Sequence, residues 1–186
     1  YNTTTDKQLN NRFVKLLENP IDSVGFPRSM SVKTGDIKKV PSKDWTSGFY
    51  DGNLWQIYTL TGDSKYKERA QQWIPFLEKE KFNGGTHDMG FKIYCSFGKG
   101  YEITQSEAYK KVIIKSAQTL CTRFNKKTGS IKSWDNRDKW QFPVIINLVS
   151  YTHLRAHETK PNLVCRLLLE KKKQKITATI PDTQLY

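Results

Sequence analysis

Apolar residues recur every three or four positions along several stretches of this chain, and short runs rich in Gly, Asp, Asn and Pro separate them. That spacing marks helices that bury one face. A first helix is predicted over about 6–18, with Leu9, Phe13, Leu16 and Leu17 on one stripe and Asn19-Pro20 ending it. A long loop containing Gly25-Phe26-Pro27-Arg28-Ser29 follows. A second helix is expected over about 48–60, with Trp55 and Tyr58 on its apolar positions and Gly62 at its end. Asp63 then caps a third helix running to about 79 through Tyr66, Ala70, Trp73, Phe76 and Leu77. Residues 81–86 read as loop, and a fourth helix covers about 88–97. A fifth covers about 106–124, its inner face carrying Ile113, Ala117 and Leu120, and Val144-Ile145-Ile146 opens a sixth element.

A repeat runs through this pattern. Tyr58, Thr61 and Tyr66 recur as Tyr101, Thr104 and Tyr109, each 43 residues later. Both triplets span the end of one helix and the start of the next, the mark of stacked helical hairpins. Such an array is all-α, and it closes into a toroid of six hairpins or stays open as a solenoid. Five helices and the start of a sixth make about half of such a toroid.

Composition changes the picture in three places. The chain has 186 residues and a net charge of +13. Residues 1–147 hold 24 basic and 15 acidic side chains, a net of +9, so an anionic ligand fits the body itself. Five Trp, nine Tyr and nine Phe argue for a packed core or a ring-lined cleft rather than a disordered basic chain. Cys95, Cys121 and Cys165 lack metal spacing and are odd in number, so buried thiols are expected for the first two. No apolar run is long enough to span a membrane, and Tyr1–Asp6 has no signal-peptide character.

The texture shifts after Ile146. Residues 149–173, from Val149-Ser150-Tyr151-Thr152-His153 to Leu167-Leu168-Leu169-Glu170-Lys171, resemble the translation of a sequencing-library adapter, with two adapter blocks in order. Residues 1–147 are therefore expected to form the domain and 148–186 an artefactual tail.

Three motifs carry candidate chemistry. They are Asp44-Trp45-Thr46-Ser47-Gly48-Phe49-Tyr50-Asp51-Gly52-Asn53-Leu54-Trp55, then His87-Asp88-Met89-Gly90-Phe91, then Ser133-Trp134-Asp135 followed by Phe142-Pro143-Val144-Ile145-Ile146. Trp45 and Trp134 offer flat faces to sugar rings, and Asp88 places a carboxylate beside His87, the one histidine outside the tail. An acid near a stacking surface is what glycoside chemistry needs. The same residues also suit plainer roles, Trp as core and Asp88 as a helix cap.

Taken in order and spacing, these motifs resemble glycoside hydrolase family 88, the unsaturated glucuronyl hydrolases. The resemblance extends over most of residues 1–147, including Phe26-Pro27-Arg28-Ser29, Leu60-Thr61-Gly62-Asp63 and Arg123-Phe124. It implies an (α/α)6 toroid and removal of a 4,5-unsaturated uronic acid from the non-reducing end of lyase-generated oligosaccharides. It implies no cofactor or metal, and neither a nucleic-acid nor a membrane partner. Trp45, His87 and Trp134 become expected substrate contacts. One of the family's two aspartates falls on Asp88. The other, its general acid/base, falls on position 147, which here is Asn147. An amide neither donates an acid proton nor acts as a base, so this chain is expected to lack turnover. Unsaturated rhamnogalacturonyl hydrolysis on the same fold is the alternative within enzymes. A non-catalytic polyanion-binding repeat module is the alternative outside them.

Overall fold

The computed structural model describes residues 13–14, 16–21, 25–135 and 141–144. Asn147, the predicted sixth element beyond Val144, the junction at 148 and the adapter-like segment lie outside the described residues. So does most of the predicted first helix, of which Phe13, Val14, Leu16 and Leu17 are helical, and Phe13, Leu16 and Leu17 pack against the core.

Chain order runs through a two-stranded hairpin, β1 (Phe26–Met30) and β2 (Ile37–Val40), then α1 (Phe49–Thr61) and α2 (Ser64–Trp73). A 3₁₀ segment (Ile74–Phe82) continues α2, and a π-helix (Gly90–Gly98) runs directly into α3 (Lys99–Thr104). After α4 (Glu107–Cys121) a short hairpin follows, β3 (Phe124–Asn125) paired with β4 (Ser130–Ile131). The helix-rich body matches the predicted class, a partial helical toroid, with two small antiparallel hairpins added at its edge.

The predicted third helix changes character at Trp73 because Pro75 cannot supply the N–H that an α-helix needs there. Its tail tightens to 3₁₀ and reaches Phe82, two residues into the stretch expected to be loop. The predicted fourth helix starts later and ends later than expected, as Gly90–Gly98 wound as π and Lys99–Thr104 as α.

The 43-residue repeat holds at the level of atoms. At the first turn the Gly62 N–H donates to the Tyr58 carbonyl (2.8 Å), and at the second the Gln105 N–H donates to Tyr101 (2.8 Å). Thr61 Oγ1 donates to the Ile57 carbonyl and Thr104 Oγ1 to that of Gly100. Each hydroxyl then accepts the N–H two residues on, from Asp63 and from Ser106. Both C-caps are left-handed, Gly62 at φ 70° and Gln105 at φ 54°. Asp63 and Ser106 are the N-caps that start the next helices.

The core lies between α1, α2, the 3₁₀ segment, the π-helix and α4, and is built on Leu54, Trp55, Tyr66, Trp73, Leu77 and Ile93. Predicted inner positions Ala70, Ile113, Ala117 and Leu120 are buried with them, while Tyr58 and Phe76 are half-buried. Backbone meets backbone where α1 crosses the π-helix. A Cβ on Gly48 would come within 2.4 Å of the Phe91 carbonyl oxygen, and one on Gly52 within 2.9 Å of the Cys95 carbonyl oxygen. Two glycines one helical turn apart thus set the distance between the Trp45 loop and the residues that follow Asp88. Cys95 is a half-buried thiol, its pKa pushed up to about 11 by burial. Cys121 is disulfide-bonded, which corrects its reading as a free thiol.

Candidate functional site

Asp88 sits in the bend between the 3₁₀ segment and the π-helix. Its backbone carbonyl accepts from Lys92 N–H (3.1 Å), which opens the π-helix. Segments of π-helix recur at functional sites because the wider turn re-aims the side chains around it. The Asp88 carboxylate does not cap the helix, which corrects the plainer reading of this residue. Its Oδ2 accepts from the Thr86 hydroxyl (2.9 Å), and Oδ1 lies 3.4 Å from His87 Nε2. Thr86 Oγ1 also takes the Asp88 N–H (3.1 Å), so one threonine fixes both backbone and carboxylate.

His87 is buried, and its Nδ1 lies 2.6 Å from the Ser133 carbonyl. A carbonyl oxygen only accepts, so Nδ1 carries the proton and Nε2 is turned toward Asp88. His87, expected from sequence as a substrate contact, is thus held under the loop with its ring oriented by Ser133.

The segment after β4 closes over this bend. Thr86 forms a β-bridge with Trp134, whose ring centroid lies 6.2 Å from that of His87. Ser133 N–H donates to the Pro143 carbonyl (2.9 Å). Arg123, also buried, staples the two sides: Nε donates to the Lys132 carbonyl (2.8 Å), one Nη to the Gly84 carbonyl, and the other pairs with Asp135 (3.2 Å). Trp134 is left 40% exposed, available to a ligand.

Trp45 lies on a neighbouring cluster. It is 44% exposed and packs edge-on against Phe49 (5.7 Å) and Phe91 (5.8 Å), and Phe91 sits three residues beyond Asp88. The core reading of both tryptophans is therefore set aside. Below them runs a buried ion pair that the sequence did not reveal. Lys92 Nζ, fully buried, lies 2.9 Å from Glu80 Oε2 and donates to the Lys43 carbonyl (3.3 Å). Burial works against the Glu80 carboxylate. Hydrogen bonds from Asn83, Lys92 and Ser42, with the Lys92 charge, outweigh that and hold its pKa below the usual range. The cluster ties the Ser42–Lys43 loop to the floor of the Asp88 bend. Asp44 is likewise lowered, its partial burial offset by Thr46 and by the charges of Arg28 and Lys92.

Asp51, inside the Trp45 motif, differs from these. It is fully buried with neither carboxylate oxygen hydrogen-bonded, and burial pushes its pKa well above the carboxylate range. It faces the core rather than solvent. Among the described residues no group of three His, Cys, Asp or Glu side chains could hold a metal ion. No described helix is long and apolar enough to cross a membrane.

No family model matches the chain. Individual proteins do. The chain is 54% identical over 154 residues to an unsaturated glucuronyl hydrolase of Formosa agariphila, covering 82% of this chain and 38% of that protein. The crystal structure of an unsaturated glucuronyl hydrolase specific for heparin superposes with a TM-score of 0.78 at 32% identity, over 96% of this chain and 47% of that one. A variant unsaturated glucuronyl hydrolase of Streptococcus agalactiae, complexed with dGlcA-GalNAc6S, gives 0.54 at 24% identity over 66% of this chain and 34% of its own. The chain thus spans under half the length of these relatives.

Proposed function

We propose that this chain, similar in sequence and fold to unsaturated glucuronyl hydrolases of glycoside hydrolase family 88, supplies the Asp88 side of such an enzyme's active site. The observation that carries the reading is 54% identity to one of those enzymes across a stretch of 154 residues. A carboxylate held by Thr86 beside His87, with the half-exposed Trp134 ring next to that histidine, suits the same role. The ligand is an oligosaccharide ending in a 4,5-unsaturated uronic acid.

In the proposed reaction a proton goes to C4 of the C4=C5 double bond and a water hydroxyl adds at C5. The product is a hemiketal, whose collapse opens the ring and releases the leaving sugar as its alcohol. Charge builds up at C5 in the transition state, and a carboxylate fixed at one oxygen by Thr86 is pre-organised to meet it. Thr86 sets that geometry for Asp88, and Trp134 stacks on the sugar. The acid and base step falls to position 147. Asn147 cannot perform it, so binding without turnover is the property proposed for the chain itself.

Two measurements test this. Tryptophan fluorescence should report saturable binding of an unsaturated disaccharide to the chain, weakened by about tenfold or more in Trp134→Ala, as expected on losing an aromatic sugar platform. In a polypeptide extended across the full length of the relatives with Asp at position 147, Asp88→Asn should lower the rate of double-bond loss by about a hundredfold or more. Unchanged turnover in Asp88→Asn would remove Asp88 from the chemistry.

A further inference from the structure

The motif Phe26-Pro27-Arg28-Ser29 has no part in the machinery around Asp88, yet the structure gives it an unusual backbone. Pro27 pairs with Lys39 and Ser29 with Lys38, so Arg28 is the extra residue of a β-bulge in β1. Bulges bend a strand and redirect a side chain. Here the bulge carries the Arg28 guanidinium to 5.8 Å from the centre of the exposed Trp45 ring. Its Nη1 donates to Asp44 Oδ2 at 3.1 Å, while the Nε–Nη2 edge donates to no described residue. That edge is the fork that matches an oxyanion with two parallel bonds.

These groups border a cavity of about 500 Å³ between the hairpin and the start of α1, walled by Pro27, Met30, Phe49 and Tyr50. Its size is that of a small-ligand site, and its make-up is that of one too: apolar walls with a few convergent polar groups. Charge around it is net basic. Residues 26–44 hold Arg28, Lys33, Lys38, Lys39 and Lys43 against Asp36 and Asp44, the latter paired with Arg28, and the four lysines are exposed. A concave apolar surface beside such a cluster concentrates anions.

We propose that Arg28 and Trp45 form a binding site for a sugar bearing an anionic substituent, sulfate or carboxylate, on the residue next to the unsaturated uronate. The proposal rests on the function put forward above and adds the residue that reads the anion. Trp45 takes the ring face, and the free edge of Arg28 takes the oxyanion. The anion also enters opposite an indole already polarised by the same cation.

Calorimetry on the 186-residue chain tests this with three unsaturated disaccharides that differ only at one position of the second sugar, hydroxyl, sulfate or carboxylate. The expected result is about fivefold or greater tighter binding of at least one anionic form over the hydroxyl form at low salt, with the preferred anion naming the substituent. The anionic preference should fall below about twofold in Arg28→Gln and persist in part in Arg28→Lys. Arg28 also pairs with Asp44, so the wild-type chain supplies a check that needs no substitution: affinity for the preferred anion should fall more steeply with salt than affinity for the hydroxyl form. Equal affinities for all three, parallel salt dependence, or a preference that survives Arg28→Gln in a folded variant would each overturn the Arg28 site and leave the proposed function standing. No binding of any of the three would overturn both.

Discussion

The helical hairpins and the ledge of loops beside them are held together in different ways. Within the hairpins, the hydrogen bonds that finish the turns and line the helices are mostly local: Thr59, Thr61, Ser96, Thr104 and Ser116 each donate to the carbonyl four residues earlier, while Thr119 to Lys81 and Arg69 to Leu17 and Asn19 are the longer ties. Across the ledge they reach far along the chain. Ser42 meets Glu80, Lys92 meets Lys43, His87 meets Ser133 and Arg123 meets Gly84, separations of 38 to 49 residues. The turns of the scaffold are therefore specified largely by their own residues. The ledge, which carries Trp45, Asp88 and Trp134, exists only when distant segments have already docked. Its geometry depends on a few buried polar groups, and each is costly to leave unpaired.

Lys92→Met breaks that asymmetry hardest. It strands Glu80 in a buried site, and a loss of about 3–5 kcal/mol is expected by urea unfolding. Pairing it with Glu80→Leu should recover much of the loss, since an apolar pair replaces a buried ion pair at little cost. If Lys92→Met costs no more than a surface substitution, the ledge is not held as described.

Asp51 contrasts with Glu80, a buried carboxylate with partners against one without. Its folded pKa is raised, so the folded state binds the proton more tightly than the unfolded chain does. Its contribution is fully present below the unfolded carboxylate pKa and is lost as pH rises from there toward the folded pKa. Asp51→Asn should accordingly flatten the decline in stability across that window, read as melting temperature against pH. A profile identical to wild type would show that Asp51 does not titrate with folding.

The smallest effect expected lies within the repeat. Gln105 occupies the left-handed cap that Gly62 fills one repeat earlier. Gln105→Gly should stabilise by about 0.5–1 kcal/mol, and Gly62→Ala should destabilise by about 1 kcal/mol. The same sign for both in denaturant unfolding would mean that the two turns are not equivalent.

This difference also explains what could be read from sequence. The helices at 49–61, 64–73 and 107–121 were legible because each buries a stripe and ends in a cap within a few residues of itself. The Thr61 and Thr104 turns were legible for the same reason. The β1–β2 hairpin was not: Arg28, Ser29, Met30 and Ile37 to Lys39 are all exposed, so no alternation marked the strands. At the site, Asp88, Trp45 and Trp134 stood out by residue type and motif order. Thr86, Arg123 and the Glu80–Lys92 pair had no signal of their own, since what defines them is a partner remote in the chain. His87 was legible as a neighbour of Asp88, but its burial under Ser133 was not.

The central claim is that Asp88 lies in the active site of an unsaturated glucuronyl hydrolase whose acid/base seat is position 147. It is tested most directly by following the double-bond absorbance of an unsaturated disaccharide. The polypeptide should span the full length of the relatives and be made once with Asn147 and once with Asn147→Asp. Steady loss of absorbance is expected with aspartate and none above background with asparagine. Loss with asparagine, or an intact double bond with aspartate in a folded protein that binds the disaccharide, would contradict it.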